Sequence, residues 1–279
     1  MLRLNNSQNK MSKFRLNMQW VVISILIFFI SYIFYMYMKL SFRGKNKDYY
    51  YNQNNNNNNK NMKHVYTYVI SWKKVTNNAL KIYGEVSKVF PNVYFIDCDE
   101  TTKKTFPNQI KLTDKEYYGA QFETAINHIP ENSILGIVVG DIKTNYTNWN
   151  NVYQNLANAF TEFDIGVYAP FEERTGWMKS KGTLSNKNLH KTDNTDCTVW
   201  FLHPDVVTVA KKLDIAKNSP YGWGIDIVLC KYAMHIGKYV VYDTSVNVSN
   251  PKGTGYDSGK AHSQINILND IAVKKNLFK

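Results

Sequence analysis

From His64 onward, apolar runs of strand length alternate with stretches of helical spacing, and this alternation limits the fold more than any other feature. Residues 65–70 are rich in β-formers and read as a strand. In residues 75–90, Val75, Leu80, Ile82, Val86 and Val89 fall on or near one helical face, and Pro91-Asn92 ends the segment. Residues 93–96 read as a second strand running into Asp97. Residues 117–129 are helical, with Phe122, Ala125, Ile126 and Ile129 inward, and Pro130 breaks them. Residues 134–139 are a continuous apolar run, the pattern of a strand buried on both faces, followed by Gly140-Asp141. A helix over 149–163 and a strand over 165–169, closed by Pro170, complete the alternation. This order predicts an α/β domain whose sheet has parallel members. Open sheets of this kind bind ligands beyond the carboxyl ends of their strands, which makes Asp97 and Asp141 site candidates.

The second half is less regular. Residues 171–196 are polar and loop-like, 197–202 read as a strand, 206–213 as a helix, 227–236 as a helix and 239–242 as a strand closed by Asp243. The tail over 251–256 is glycine-rich, polar and expected to be flexible.

The region before His64 does not read as globular. Residues 18–38 carry no charge and are mostly Val, Ile, Leu, Phe, Tyr and Met. As a helix they would span roughly 30 Å, the thickness of a bilayer's hydrocarbon core. Trp20 near one end and Tyr35 and Tyr37 near the other suit an aromatic belt. A cleaved signal peptide would have a shorter apolar stretch ending in small residues, whereas Lys39, Leu40, Ser41, Phe42 and Arg43 follow here, so a retained anchor is expected. Four basic residues precede the span (Arg3, Lys10, Lys13, Arg15) and four follow closely (Lys39, Arg43, Lys45, Lys47), so charge barely sets the orientation. A short tail with the large domain beyond the membrane is the commoner arrangement and gives a type II expectation, in a Golgi- or endoplasmic-reticulum-like or virus-associated membrane. The asparagine run at 54–59 lies in a polar segment that cannot bury enough apolar surface to fold. The expected organisation is a tail (1–17), an anchor (18–38), an Asn-rich stem (39–63) and a catalytic domain (64–279).

The net charge of +12 resembles a nucleic-acid signal until it is located: +9 belongs to residues 1–63 and only +3 to residues 64–279. The basicity flanks the anchor, where it favours anionic lipid, and the folded part carries no dense basic stripe, so a nucleic-acid partner is excluded. Cys98, Cys197 and Cys230 are few and far apart; they imply neither a metal pair nor a disulfide framework, and a single bridge stays open. Sequons begin at Asn145 and Asn247 and matter only in a secretory lumen.

Tyr221-Gly222-Trp223-Gly224-Ile225-Asp226 is the most chemically specific run. Glycine lets the backbone approach a ligand closely, Tyr and Trp offer flat faces on which sugars pack, and Asp226 opens a helix where it can take a proton from a bound hydroxyl. A loop whose Asp merely caps a helix is the plainer alternative.

In this α/β context the run resembles the Gly-Trp-Gly-x-Asp/Glu loop of GT-A-type glycosyltransferases, which are often held by one N-terminal span and a polar stem. The resemblance covers the architecture of residues 64–279 and these short motifs. It implies a GT-A-like nucleotide-binding sheet flanked by helices and transfer of a sugar from a nucleotide-sugar to a glycan, glycoprotein or glycolipid acceptor, with inversion. It implies Asp226 as catalytic base and Tyr221, Gly222, Trp223 and Gly224 around the acceptor. The family's Asp-x-Asp, which holds a divalent cation (Mn or Mg) on the donor diphosphate, is expected at the end of strand 134–139. That is Asp141, the favoured metal or diphosphate residue, with Lys143 in the second acidic place. The literal Asp97-Cys98-Asp99 lies where the family more often meets the nucleoside, as does Thr67. Trp177, after Glu172, Glu173 and Arg174, falls where a sugar is contacted. The family's later His is missing, with Ser249 or Asn250 in its place. Two rivals remain: a catalytically degenerate carbohydrate- or nucleotide-sugar-binding scaffold on the same fold, and a nucleotidyltransferase or metal hydrolase, which leaves the Gly-Trp-Gly loop unexplained.

Overall fold

The computed structural model describes residues 64–278 apart from Lys104, Arg174 and residues 251–257. The expected anchor, stem and glycine-rich tail lie outside the described residues. Among the described residues no helix is long and apolar enough to cross a membrane.

Eight strands form one mixed sheet: β1 (Val65–Trp72), β2 (Asn92–Cys98), β3 (Gln109–Lys111), β4 (Ile134–Val139), β5 (Ile165–Glu172), β6 (Leu189–Lys191), β7 (Val199–Leu202) and β8 (Tyr239–Val248). Their spatial order is β3-β2-β1-β4-β7-β5-β8-β6. The strands from β3 to β4 in that order are mutually parallel, β5 is parallel to β8, β7 runs antiparallel to both β4 and β5, and β6 closes the sheet antiparallel to β8. The helices are α1 (Thr76–Val86), α2 (Tyr118–His128), α3 (Trp149–Glu162), α4 (Pro204–Ala210), α5 (Ile215–Asn218), α6 (Ile225–His235) and α7 (Ser258–Lys274).

The period of two along each strand feeds two cores. Leu135 and Ile137 of β4 pack on one face with Phe122 and Ile126 of α2, Val228 and Leu229 of α6 and Leu268 of α7. Val138 points the other way, into a core with Ile82 of α1 and Val152 and Leu156 of α3. Burying a side chain of this size contributes about 1.5–3 kcal/mol, so a strand covered on both sides must be apolar throughout. The expected α/β sheet with parallel members, flanked by helices, is what the chain forms.

Differences in detail have local causes. The strand expected to stop at Pro170 continues to Glu172. Its pairing with β8 jumps there, from Pro170–Asp243 to Phe171–Asn247. Proline has no N–H for a ladder and is tolerated at such a break. Asp243 anchors the break, accepting bonds from the Tyr168 hydroxyl (2.9 Å), the Asn155 amide (2.8 Å) and the Ser245 N–H (2.9 Å). β3 and β6 have three residues each, too few for a periodic signal. α7 follows the glycine-rich tail and was not anticipated, although Ala261, Leu268 and Ala272 keep a helical spacing and are buried. The three cysteines are free thiols.

The chain runs from β1 outward through β2 to β3, then returns to place β4 on the other side of β1. In open α/β sheets the carboxyl ends of the strands at such a reversal, here β1 and β4, are the usual ligand position.

The start of α2 is pressed against the segment before α6: Gly119 N–H donates to Pro220 O at 2.9 Å, and a methyl group on Gly119 would lie 2.2 Å from Ser219 O. Gly119→Ala should therefore cost about 1–3 kcal/mol of stability. Gly84→Ala, in α1 with open space around it, should gain up to about 1 kcal/mol from helix propensity. Urea denaturation checks both, and the opposite order would contradict this packing.

Candidate active site

The pairing of β4 with β7 runs from Leu135–Leu202 to Val138–Val199 and is extended by Val139 N–H donating to Thr198 O at 2.8 Å. Each step forward on β4 is a step back on β7. Continued past the strand end, this register sets Asp141 across from Asp196. The loop after β8 joins them, since Ser249 O accepts the Lys143 N–H at 2.9 Å. The N-terminus of α6 has Asp226 in its first turn, near enough for Asp196 to act on it.

The Gly-Trp-Gly loop is built by its neighbours as much as by its own residues. Gly222 and Gly224 have φ of +85° and +89°, backbone conformations open to glycine. Space demands glycine too: a side chain at 222 would lie 2.3 Å from the Tyr118 ring, and one at 224 would lie 2.8 Å from the Ile265 backbone in α7. Tyr221 meets Tyr117 edge-to-face with ring centroids 4.9 Å apart, and Tyr117 is 49% exposed. Trp223 leans on His262 at 5.5 Å. The Tyr118 hydroxyl donates to Cys197 O at 2.9 Å, tying α2 to the start of β7.

Three carboxylates gather here without a cation among them in the described ion pairs. Burial, with a smaller push from Asp196, raises the pKa of Asp226 to about 6, against the Ile227 N–H and the Asn194 amide, which donates at 3.3 Å. Burial likewise raises Asp141 to about 6, again with Asp196 adding to the rise. Asp196 is itself raised by burial, although the Thr198 N–H (2.7 Å) and hydroxyl both bond its carboxylate. Asp141 Oδ1 and Asn194 Oδ1 are buried with no hydrogen-bond partner. Such a pocket stabilises a proton, a cation or a hydroxyl donor.

The other expected residues divide sharply. Asp97 is fully buried and committed to β3: it pairs with Lys111 (2.7 Å) and accepts from Gln109 (2.8 Å) and the Asp99 N–H (3.0 Å). Asp99 accepts from the Thr101 hydroxyl (2.6 Å), the Thr76 hydroxyl (2.7 Å) and the Thr101 N–H (2.9 Å), bonds that lower its pKa. Thr67, expected at the nucleobase near a strand end, lies instead in the body of the sheet, because β1 runs on to Trp72; its hydroxyl is packed close to Gly136. Ser71 holds the strand-end place, fully buried. Lys143 is exposed at the end of the β4 loop, and Trp177 is 54% exposed in the loop after β5. Sequence reasoning missed Asp196 and Asn194, which sit in a stretch taken as loop, and Gln264 on α7. The strand expected from Cys197 was the available signal for Asp196, since a residue just before an antiparallel partner of β4 faces the end of β4.

Asp141 Oδ1 is buried without a hydrogen-bond partner, and a carboxylate oxygen is the kind of donor a hard divalent cation takes. Among the described residues no group of three or more His, Cys, Asp or Glu is arranged to hold a metal by itself.

No family model matches the sequence, and no curated protein matches it. Among solved structures, the chain is similar to GalNAc-T7 with UDP, GalNAc and Mn2+, at 8% identity and a TM-score of 0.48, over 69% of this chain and 44% of that one. It thus spans less than half of the GalNAc-T7 chain. It is also similar to the inositol-1-phosphate CTP transferase from T. maritima (12% identity, TM-score 0.42, covering 75% of this chain and 96% of that one) and to A197 from STIV (10%, 0.40, 68% and 86%). At these scores the reading of the fold rests on the sheet itself.

A carboxylate whose pKa is higher folded than unfolded binds protons preferentially in the folded state. Its contribution to stability is complete below about pH 4 and is lost as pH rises through about 6. Asp226→Asn and Asp141→Asn should therefore stabilise the fold at pH 7.5, each by up to about 3 kcal/mol, the worth of a two-unit shift, and the gain should vanish near pH 4. Denaturation at both pH values measures this; destabilisation at pH 7.5 would contradict the electrostatics.

Proposed function

We propose that this chain is a glycosyltransferase that moves a sugar from a nucleotide-sugar to a glycan or glycoconjugate acceptor in one inverting displacement. The observation that carries the reading is Asp226: a partly buried carboxylate in the first turn of α6, raised to about 6, at the end of a glycine-tryptophan-glycine loop. At neutral pH it is ionised yet more basic than an ordinary carboxylate, as a general base needs. It takes the proton of the acceptor hydroxyl as that oxygen bonds to the anomeric carbon. The bond from that carbon to the diphosphate oxygen breaks on the far side, and its electron pair leaves with the nucleoside diphosphate.

Asp141 lies just beyond the carboxyl end of β4, next to the reversal of strand order. Its unpartnered oxygen supports it over the satisfied Asp97 and Asp99 as the residue that would hold a divalent cation against the diphosphate. Such a cation neutralises leaving-group charge when bound. Lys143 adds positive charge at the same strand end. Tyr221, Trp223 and the exposed Trp177 offer faces for sugars. Residues 18–38 would hold the domain at a membrane as a type II anchor. A second reading, a non-catalytic nucleotide-sugar-binding scaffold, is favoured by Lys143 in the second acidic place and by Ser249 and Asn250 where the family has a His.

A screen of UDP- and GDP-sugars with Mn2+, following nucleoside diphosphate release, tests the proposal. Turnover by the wild type, with Asp226→Asn reducing it at least about a hundredfold while still binding donor, is the expected result. The rate should also rise with pH through about 6 as Asp226 ionises. Donor binding without turnover would favour the scaffold, and full activity of Asp226→Asn would sink the assignment of the base.

A further inference from the structure

α6 begins without a side-chain cap. Its N-cap is Gly224, which has no side chain to fix the angle at which the chain enters the helix. Asp226 lies two residues further on, so beyond the Asn194 amide on its carboxylate its direction follows the loop before it.

The hold on that loop comes from α7. Gln264 is 5% exposed, and a buried amide is costly unless it is bonded. Its Oε1 accepts from the Tyr221 N–H at 3.1 Å and lies 3.0 Å from the Ser219 hydroxyl, which is also 2.9 Å from Trp223 O. The neighbouring Ile265 packs against Gly224, and His262 packs on Trp223. The same helix buries Ala261, Leu268 and Ala272 in the core, so it is a fixed platform. One side chain thus holds the entry of the turn that delivers Asp226, at Ser219 and Tyr221.

We propose that Gln264 is a positioning residue: its carbonyl oxygen sets the register of the Gly-Trp-Gly loop and, through it, aims Asp226 at the acceptor. This rests on the reading of Asp226 as the base. The requirement is for an acceptor oxygen at this place, because the Tyr221 N–H can only donate; the Ser219 hydroxyl shares its one proton between Gln264 Oε1 and Trp223 O. A leucine of similar shape cannot supply that oxygen, and the Tyr221 N–H would be left without its partner.

Hydrogen exchange of residues 219–226 in the full chain tests the brace, and nucleoside diphosphate release from UDP-glucose, UDP-galactose, UDP-N-acetylglucosamine, UDP-N-acetylgalactosamine and GDP-mannose with Mn2+ tests its consequence. Gln264→Leu is expected to raise exchange across the loop and to lower turnover about ten- to a hundredfold, the usual effect of a misaimed catalytic group, with donor affinity unchanged. Gln264→Glu, which keeps an accepting oxygen, is expected to restore both. Ser219→Ala removes the hydroxyl between Gln264 and Trp223 O while leaving α7 itself unsubstituted, and should show a smaller change in the same direction, which covers the case where Gln264→Leu does not fold. Unchanged exchange, or unchanged turnover alongside raised exchange, overturns the proposal. A wild type inactive on every donor overturns the catalytic reading instead, while raised exchange in Gln264→Leu still supports the brace.

Discussion

The antiparallel pairing of β7 with β4 is the interaction on which the rest of the structure depends. In a purely parallel sheet, the residues preceding a strand lie at the opposite edge from those following its neighbour. One reversed strand brings them together, so the end of β4 and the start of β7 share an edge, with Val139 bonded to Thr198 as the last rung. Asp141 and Asp196 therefore follow and precede this last rung, near enough for Asp196 to raise the pKa of Asp141. β7 also joins the β1–β4 half to the β5–β8 half, because it pairs with both β4 and β5.

What converges on that edge is electrostatically unfavourable in the protein alone. Asp141, Asp196 and Asp226 are each pushed toward protonation by burial, and Asp196 raises the other two. Two other buried acids are well satisfied: Asp97 with Lys111 and Gln109, Asp243 with Tyr168, Asn155 and Ser245. The contrast within one molecule separates acids that hold the fold together from acids that await something else. Strongly perturbed groups concentrate at functional sites for this reason.

The sheet was largely legible from sequence because fully covered strands must be apolar, and residues 134–139 and 65–70 said so. The turn at 221–226 was legible because its glycines stand where only glycine fits. Three things were hidden. Strand direction leaves no mark in composition, so the reversal of β7, and with it Asp196, could not be read. α7 follows a glycine-rich stretch, and its polar Gln264 is buried for a partner far away in sequence. Asp97-Cys98-Asp99 shows the converse: the most literal motif in the chain is spent on Lys111, Gln109, Thr76 and Thr101, whereas Asp141, a weaker match, is the one with an unspent oxygen.

The proposed transfer requires that a nucleotide-linked diphosphate be held before any chemistry occurs, with Asp141 as the proposed contact. Titration calorimetry of the wild type and Asp141→Ala with UDP- and GDP-sugars in the presence of Mn2+ addresses this most directly. The predicted result is binding of at least one nucleotide-sugar by the wild type and its loss in Asp141→Ala. Wild-type protein that binds none of them, or Asp141→Ala that binds as tightly as the wild type, would contradict it.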